Sequence, residues 1–259
     1  MIGTREGSPE ATGAVALVRG WAPFAAVLIA YEVMRGLASM LGRQPHSLEG
    51  VERAIFAGHE PTLILQAAVS KLGDADLIDD VASLVYSAHF LLPIAVGAWL
   101  WTRDRSEFRR FGLSLVVLCA LAFVTYVAVP TAPPWLAEPE SVRHLMQQTV
   151  QRLGLPADLT WLYSHHDYNL YAAFPSLHAG FPVLAAVAAW RRNKQVGVAL
   201  AVWAIVVWVT VVYLGEHYVA DVVGGIFYAA VALAIVAVVS QIRNQQTDRR
   251  GTTQTALAD

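Results

Sequence analysis

Six apolar runs set the rhythm of this chain, at roughly Trp21–Leu41, Val81–Trp101, Phe111–Pro130, Phe174–Trp190, Gly197–Leu214 and Tyr218–Val239. Each is close to the ~20 residues a helix needs to cross the hydrocarbon core, the fourth being the shortest. They are rich in Leu, Val and Ala, and backbone in lipid must close its hydrogen bonds as a helix or a barrel. Nothing resembles the ten-residue alternation of barrel strands, so the pattern predicts an all-α integral membrane protein, a six-helix transmembrane bundle. The segment from Gly42 to Asp80 is too polar to span. Within it, Val51–Phe56 and Thr62–Val69 mix apolar and polar positions, as in an amphipathic helix lying along the outer membrane surface. Residues 1–15 and 243–259 are polar and small, which predicts disordered tails around a single membrane domain over 16–242.

Composition agrees with this reading. Of 259 residues, 56% are hydrophobic and 15% charged, and the mean hydropathy is +0.47, beyond the balance of a soluble domain. A net charge of −2 excludes nucleic acid as a partner. The single cysteine, Cys119, excludes an intrachain disulfide. The polar start does not match a cleavable signal peptide, so Trp21–Leu41 is expected to be a retained span. With the N-terminus inside, twelve basic residues fall on cytoplasmic segments and five on outer loops. This positive-inside bias predicts that both termini are cytoplasmic.

The chemistry lies where two spans begin. His178 follows Pro175-Ser176 at the head of the fourth run, and His217 and Asp221 head the sixth. The i, i+4 spacing places His217 and Asp221 on one face of a helix. The topology brings all three to the outer end of the bundle, at the depth of lipid phosphates. Helix N-termini also attract phosphate there. A carboxylate-oriented histidine beside a second histidine suits nucleophilic and general-acid chemistry. The same three side chains are also a conceivable metal site, although no further ligands accompany them at ligand spacing. Ser176 adjoins His178, and Trp135 closes the rigid Ala132-Pro133-Pro134-Trp135 turn. Arg35 either pairs with Glu32 or meets a headgroup. His165 and His166 either touch substrate or belong to a solvated loop. These five are the candidate substrate-binding residues.

The motifs resemble the type-2 phosphatidic-acid phosphatase superfamily, which carries Pro-Ser-Gly-His on one helix and His-x-x-x-Asp on another. The chain has Pro175-Ser176-Leu177-His178 and His217-Tyr218-Val219-Ala220-Asp221. It is more similar to the inositol-phosphorylceramide-synthase branch, which has Phe-Pro-Ser-Leu-His and an Ala-Pro-Pro-Trp turn, matched here by Phe174–His178 and Ala132–Trp135. The resemblance covers roughly residues 120–230 and implies a six-helix enzyme that acts without a metal or other cofactor. The superfamily's lysine and Arg-Pro motif has no counterpart, and Thr210 and Val211 stand where it has Ser-Arg. Fewer cations suit a phosphodiester better than a phosphomonoester dianion. The resemblance therefore implies headgroup transfer through a phosphohistidine on the extracytoplasmic face of the cell membrane. The donor would be phosphatidylinositol or a similar lipid, and the acceptor a lipid or sugar-lipid alcohol. In this scheme His217 is the nucleophile, Asp221 orients it, and His178 is the acid and base. A lipid phosphate or polyprenyl pyrophosphate phosphatase is the alternative within enzymes, and a lipid transporter the alternative outside them. The number of subunits is left open.

Overall fold

The computed structural model describes residues 21–22, 29, 44–154 and 171–256. Ten α-helices follow one another through residues 44–154 and 171–256. They are α1 (Glu49–Ile55), α2 (Pro61–Val69), α3 (Ala75–Ser87), α4 (Leu91–Arg103), α5 (Arg105–Ala128), α6 (Pro134–Ala137), α7 (Leu145–Arg152), α8 (Leu177–Arg192), α9 (Lys194–Tyr213) and α10 (Val219–Ala256). Among the described residues there are no strands, only isolated bridges joining His46 to Thr131 and Thr131 to Ala172.

Among the described residues, three helices are long and apolar enough to cross a membrane: α5, α9 and the Val219–Arg243 part of α10. A fourth span results if α3 and α4 count as one broken element, bent by 48°. The protein is thus a helical, multi-pass membrane protein. Its exposed apolar side chains, including Leu113, Val124, Val202, Val209 and Phe227, need no aqueous partner when lipid is the solvent.

The predicted runs map unevenly onto these helices. The first lies outside the described residues except for Trp21, Ala22 and Ile29. The second is split by the 3₁₀ turn Ala88–Phe90. The break sits just before Pro93, which lacks an N–H for the carbonyl of residue 89 and crowds it. The fourth run becomes α8, whose 16 residues extend about 24 Å at the usual rise per residue. The sixth, Tyr218–Val239, lies almost wholly within α10, which continues to Ala256. The Gly42–Asp80 segment holds two helices, α1 and α2, together with the start of α3. In α2 the buried side chains are the polar Thr62 and Gln66, whereas Ile64 is exposed. This helix therefore turns its polar side to the protein.

Helix α8 is the hub, packed against α4, α5, α9 and α10. Leu118, Phe181, Leu184, Ala185, Ala229 and Ala232 form part of the main core. The crossing of α8 and α10 is close enough to demand glycine: a Cβ on Gly225 would lie 2.0 Å from the Ser176 carbonyl oxygen. Small residues of this kind let membrane helices approach backbone to backbone. At the opposite end, Asp104 caps α5 through the N–H groups of Ser106 and Glu107 at 2.9 and 3.0 Å. Those bonds lower its carboxyl pKa. Glu107 then joins Arg110 at 3.0 Å and Arg191 at 3.5 Å, linking the start of α5 to the end of α8.

Candidate active site

The loop before α8 is fastened on three sides. Thr131 Oγ1 accepts the Phe174 N–H at 2.7 Å. The Tyr126 hydroxyl donates to the Pro175 carbonyl at 2.8 Å, and the Ser176 N–H donates to the Asp221 carbonyl at 3.0 Å. The last bond joins the start of α8 to the first turn of α10. Ser176 is fully buried, and its Oγ caps α8 by accepting the Ala179 N–H at 3.3 Å.

His178 and His217 come together inside this frame, both mostly buried. His217 Nε2 lies 3.3 Å from His178 Nδ1. On its other side, His217 Nδ1 is 3.5 Å from Asp221 Oδ2, and Asp221 is completely buried. The pairing does not arise from a shared helix face. His217 precedes α10, in a turn where its N–H bonds to the Val211 carbonyl. Asp221 reaches back to accept the Tyr218 N–H at 2.8 Å, the reciprocal half of a capping box. The carboxylate therefore closes the turn and faces the imidazole at once.

Two further rings from the broken α3–α4 element lie on His178. Tyr86 stacks at 4.2 Å between centroids, and His89 lies at 4.0 Å. His89, only 1% exposed, also stacks on Phe181. A histidine in an apolar run is an available signal, since ionisable groups within spans are rarely idle; counting the run for its length passed over it.

The expectation that both helix N-termini receive phosphate needs correcting at α10. Its first N–H groups are taken by an internal anion: the Val219 and Ala220 N–H groups donate to Glu52 Oε1 and Oε2 at 2.9 and 3.2 Å. Glu52 was missed in the sequence because an amphipathic segment leads one to place its charges in water. Burial raises its carboxyl pKa, opposed by the two backbone bonds.

Trp135 is held against the same turn. Its backbone N–H donates to the Gly215 carbonyl at 3.1 Å, its indole to Glu216 Oε2 at 3.3 Å, and its ring stacks on His144 at 4.0 Å. Glu216 Oε1 meets His144 Nε2 at 3.3 Å. Trp135 and His144 line an open depression of about 430 Å³. Arg35, His165 and His166 lie outside the described residues. Among the described residues, the carboxylates grouped closely enough to hold a metal ion are Glu49, Glu60 and Glu138, not the histidine pair with Asp221. Arg53 already pairs with Glu49 and Glu60.

A multi-pass helical membrane protein with two buried histidines at the heads of adjoining helices is the class that fold and geometry define. The PAP2 superfamily profile matches residues 48–235, and the chain belongs to this superfamily and is an enzyme. The chain is 28% identical over 238 residues to a phosphoinositol dihydroceramide synthase of Bacteroides thetaiotaomicron, covering 85% of this chain and 75% of that protein. It is 30% identical over 162 residues to an inositol phosphorylceramide synthase of Candida albicans, covering 58% of this chain and 34% of the fungal protein. The chain thus spans about a third of the fungal relative. No solved structure matches it significantly.

Proposed function

We propose that the protein is a phospholipid headgroup phosphotransferase working through a phosphohistidine on the extracytoplasmic face of a six-span bundle. The contact of His217 Nε2 with His178 Nδ1, with Asp221 behind His217, is the observation that carries this reading. A proton on His217 Nδ1, facing the carboxylate, leaves a lone pair on Nε2. In the first step Nε2 bonds to phosphorus, the bond from phosphorus to the diacylglycerol oxygen breaks, and His178 gives that oxygen a proton. In the second step the acceptor hydroxyl attacks phosphorus, its proton passes to His178, and the nitrogen–phosphorus bond breaks.

The names of the two relatives, a phosphoinositol dihydroceramide synthase and an inositol phosphorylceramide synthase, support a donor carrying an inositol phosphate headgroup; phosphatidylinositol or a similar lipid is the proposed donor and a lipid or sugar-lipid alcohol the proposed acceptor. The absence from the sequence of the superfamily's lysine and Arg-Pro motif favours a phosphodiester. The test incubates purified protein with phosphatidylinositol labelled in its headgroup, with and without a ceramide or diacylglycerol acceptor. Acid-labile label on the protein and transfer to the acceptor are expected, both abolished in His217→Ala. Full turnover by His217→Ala overturns the scheme. Release of inorganic phosphate from a lipid phosphate without an alcohol acceptor identifies a phosphatase instead.

A further inference from the structure

Glu52 lies on a short helix at the far end of the sequence from α10, yet is only 1% exposed. Among the described residues no cation pairs with it. The neighbouring Arg53 turns to Glu49 and Glu60 instead. A buried carboxylate without a cation needs hydrogen bonds in compensation. Glu52 has two, one on each oxygen, from consecutive N–H groups of the first turn of α10. It also faces the positive end of that helix. Asp221 takes the preceding N–H, that of Tyr218. Two carboxylates therefore hold the backbone from residue 218 to 220, and His217 is attached directly to that backbone.

We propose that Glu52 is a positioning residue for His217, holding the turn that aims the imidazole between His178 and Asp221. The proposal rests on His217 being the residue that receives the phosphoryl group. Glu52 fills the helix end that would otherwise attract an anion, leaving substrate phosphate to bind from the α8 side of the histidine pair. Neutral glutamine has the same shape but presents an NH₂ group where one backbone N–H needs an acceptor. Aspartate keeps the charge but is one methylene too short to reach both groups. Each substitution loosens the turn without removing a group that touches substrate, and a misplacement of an ångström in a reacting group costs about 100-fold in rate.

The experiment compares wild type with Glu52→Gln, Glu52→Asp, Glu49→Gln and His217→Ala, each purified in detergent and normalised to monodisperse protein. Glu49 shares α1 with Glu52 but pairs with Arg53. Donor KM, kcat and the rate of protein labelling by donor alone are measured. Glu52→Gln and Glu52→Asp are expected to lose about 10- to 100-fold in kcat and labelling rate with donor KM within about threefold, and Glu49→Gln to match wild type. Wild-type labelling rates in both Glu52 variants overturn the proposal. So does an equal loss in Glu49→Gln, or a loss of donor binding together with rate, either of which marks a general structural role. Survival of turnover in His217→Ala overturns the functional reading instead, whatever Glu52 does.

Discussion

Asp221 has three contacts at once: its carbonyl accepts from Ser176, one carboxylate oxygen closes the Tyr218 turn, and that same oxygen faces His217 Nδ1. An asparagine replacing Asp221 would keep the turn with its carbonyl oxygen, which would still face His217 Nδ1, but it would carry no negative charge to balance the positive imidazole of the proposed phosphohistidine step. Asp221→Asn is therefore expected to fold normally, as checked by thermal unfolding in detergent, yet transfer headgroup about 10⁴-fold more slowly, the scale seen when an orienting aspartate is neutralised in a hydrolase triad. Equal rates would remove Asp221 from the chemistry. At this scale the sequence was most legible, because His178, His217 and Asp221 are conspicuous by residue type alone. Glu52 and His89 were not. Their importance lies in partners that are distant in sequence, Val219 and Ala220 for one and His178 for the other, and no local period records such a partnership.

Short elements join the long ones in holding the two helix heads in place. The segment ahead of α1 and the turn after α6 converge on Tyr218, whose hydroxyl lies 3.2 Å from Ser47 Oγ and 2.8 Å from Glu138 Oε1. Burial raises the pKa of this hydroxyl. Burial, and then a hydrogen bond shared with Glu60, also push the Glu138 carboxyl up to about 7 from an ordinary 4.5. Between those two values the folded protein holds a proton on Glu138 that the unfolded chain has released, so the unfolded state binds fewer protons and stability falls as pH rises. The contribution is fully present below about 4.5 and lost above about 7. The melting temperature in detergent is expected to drop between about pH 5 and pH 8, the range of that titration, and Glu138→Gln to flatten the drop. An unchanged slope in the variant would assign the pH dependence to other groups. The sequence pattern predicted an amphipathic segment here but could not show which side faced inward, because Thr62 and Gln66 are buried while Ile64 is exposed. It also read Val81–Trp101 without its 48° bend, since hydropathy averages over the break ahead of Pro93.

Across the whole molecule the two ends of the bundle differ in chemistry. One end gathers the start of α5, the end of α8 and the start of α9, with Arg105, Arg110, Arg191, Arg192 and Lys194 and the Glu107 bridge between them. Trp21, at the beginning of the first apolar run, packs on Phe108 at this same end, 5.4 Å between ring centroids. The other end carries the histidine pair, reached by Tyr126 near the end of α5 through its bond to Pro175. Basic residues favour the cytoplasm, so the proposed function expects the basic end on the cytoplasmic side and the histidine pair on the opposite one. The single native cysteine is buried at Cys119, which leaves a quiet background for labelling. Cysteine introduced at the exposed Glu140, in the turn beyond α6, is expected to react with an impermeant maleimide in intact cells. Cysteine at the exposed Gln195, beginning α9, is expected to react only after permeabilisation. The reverse pattern would place the histidine pair on the cytoplasmic face, and the donor would then have to be drawn from the inner leaflet.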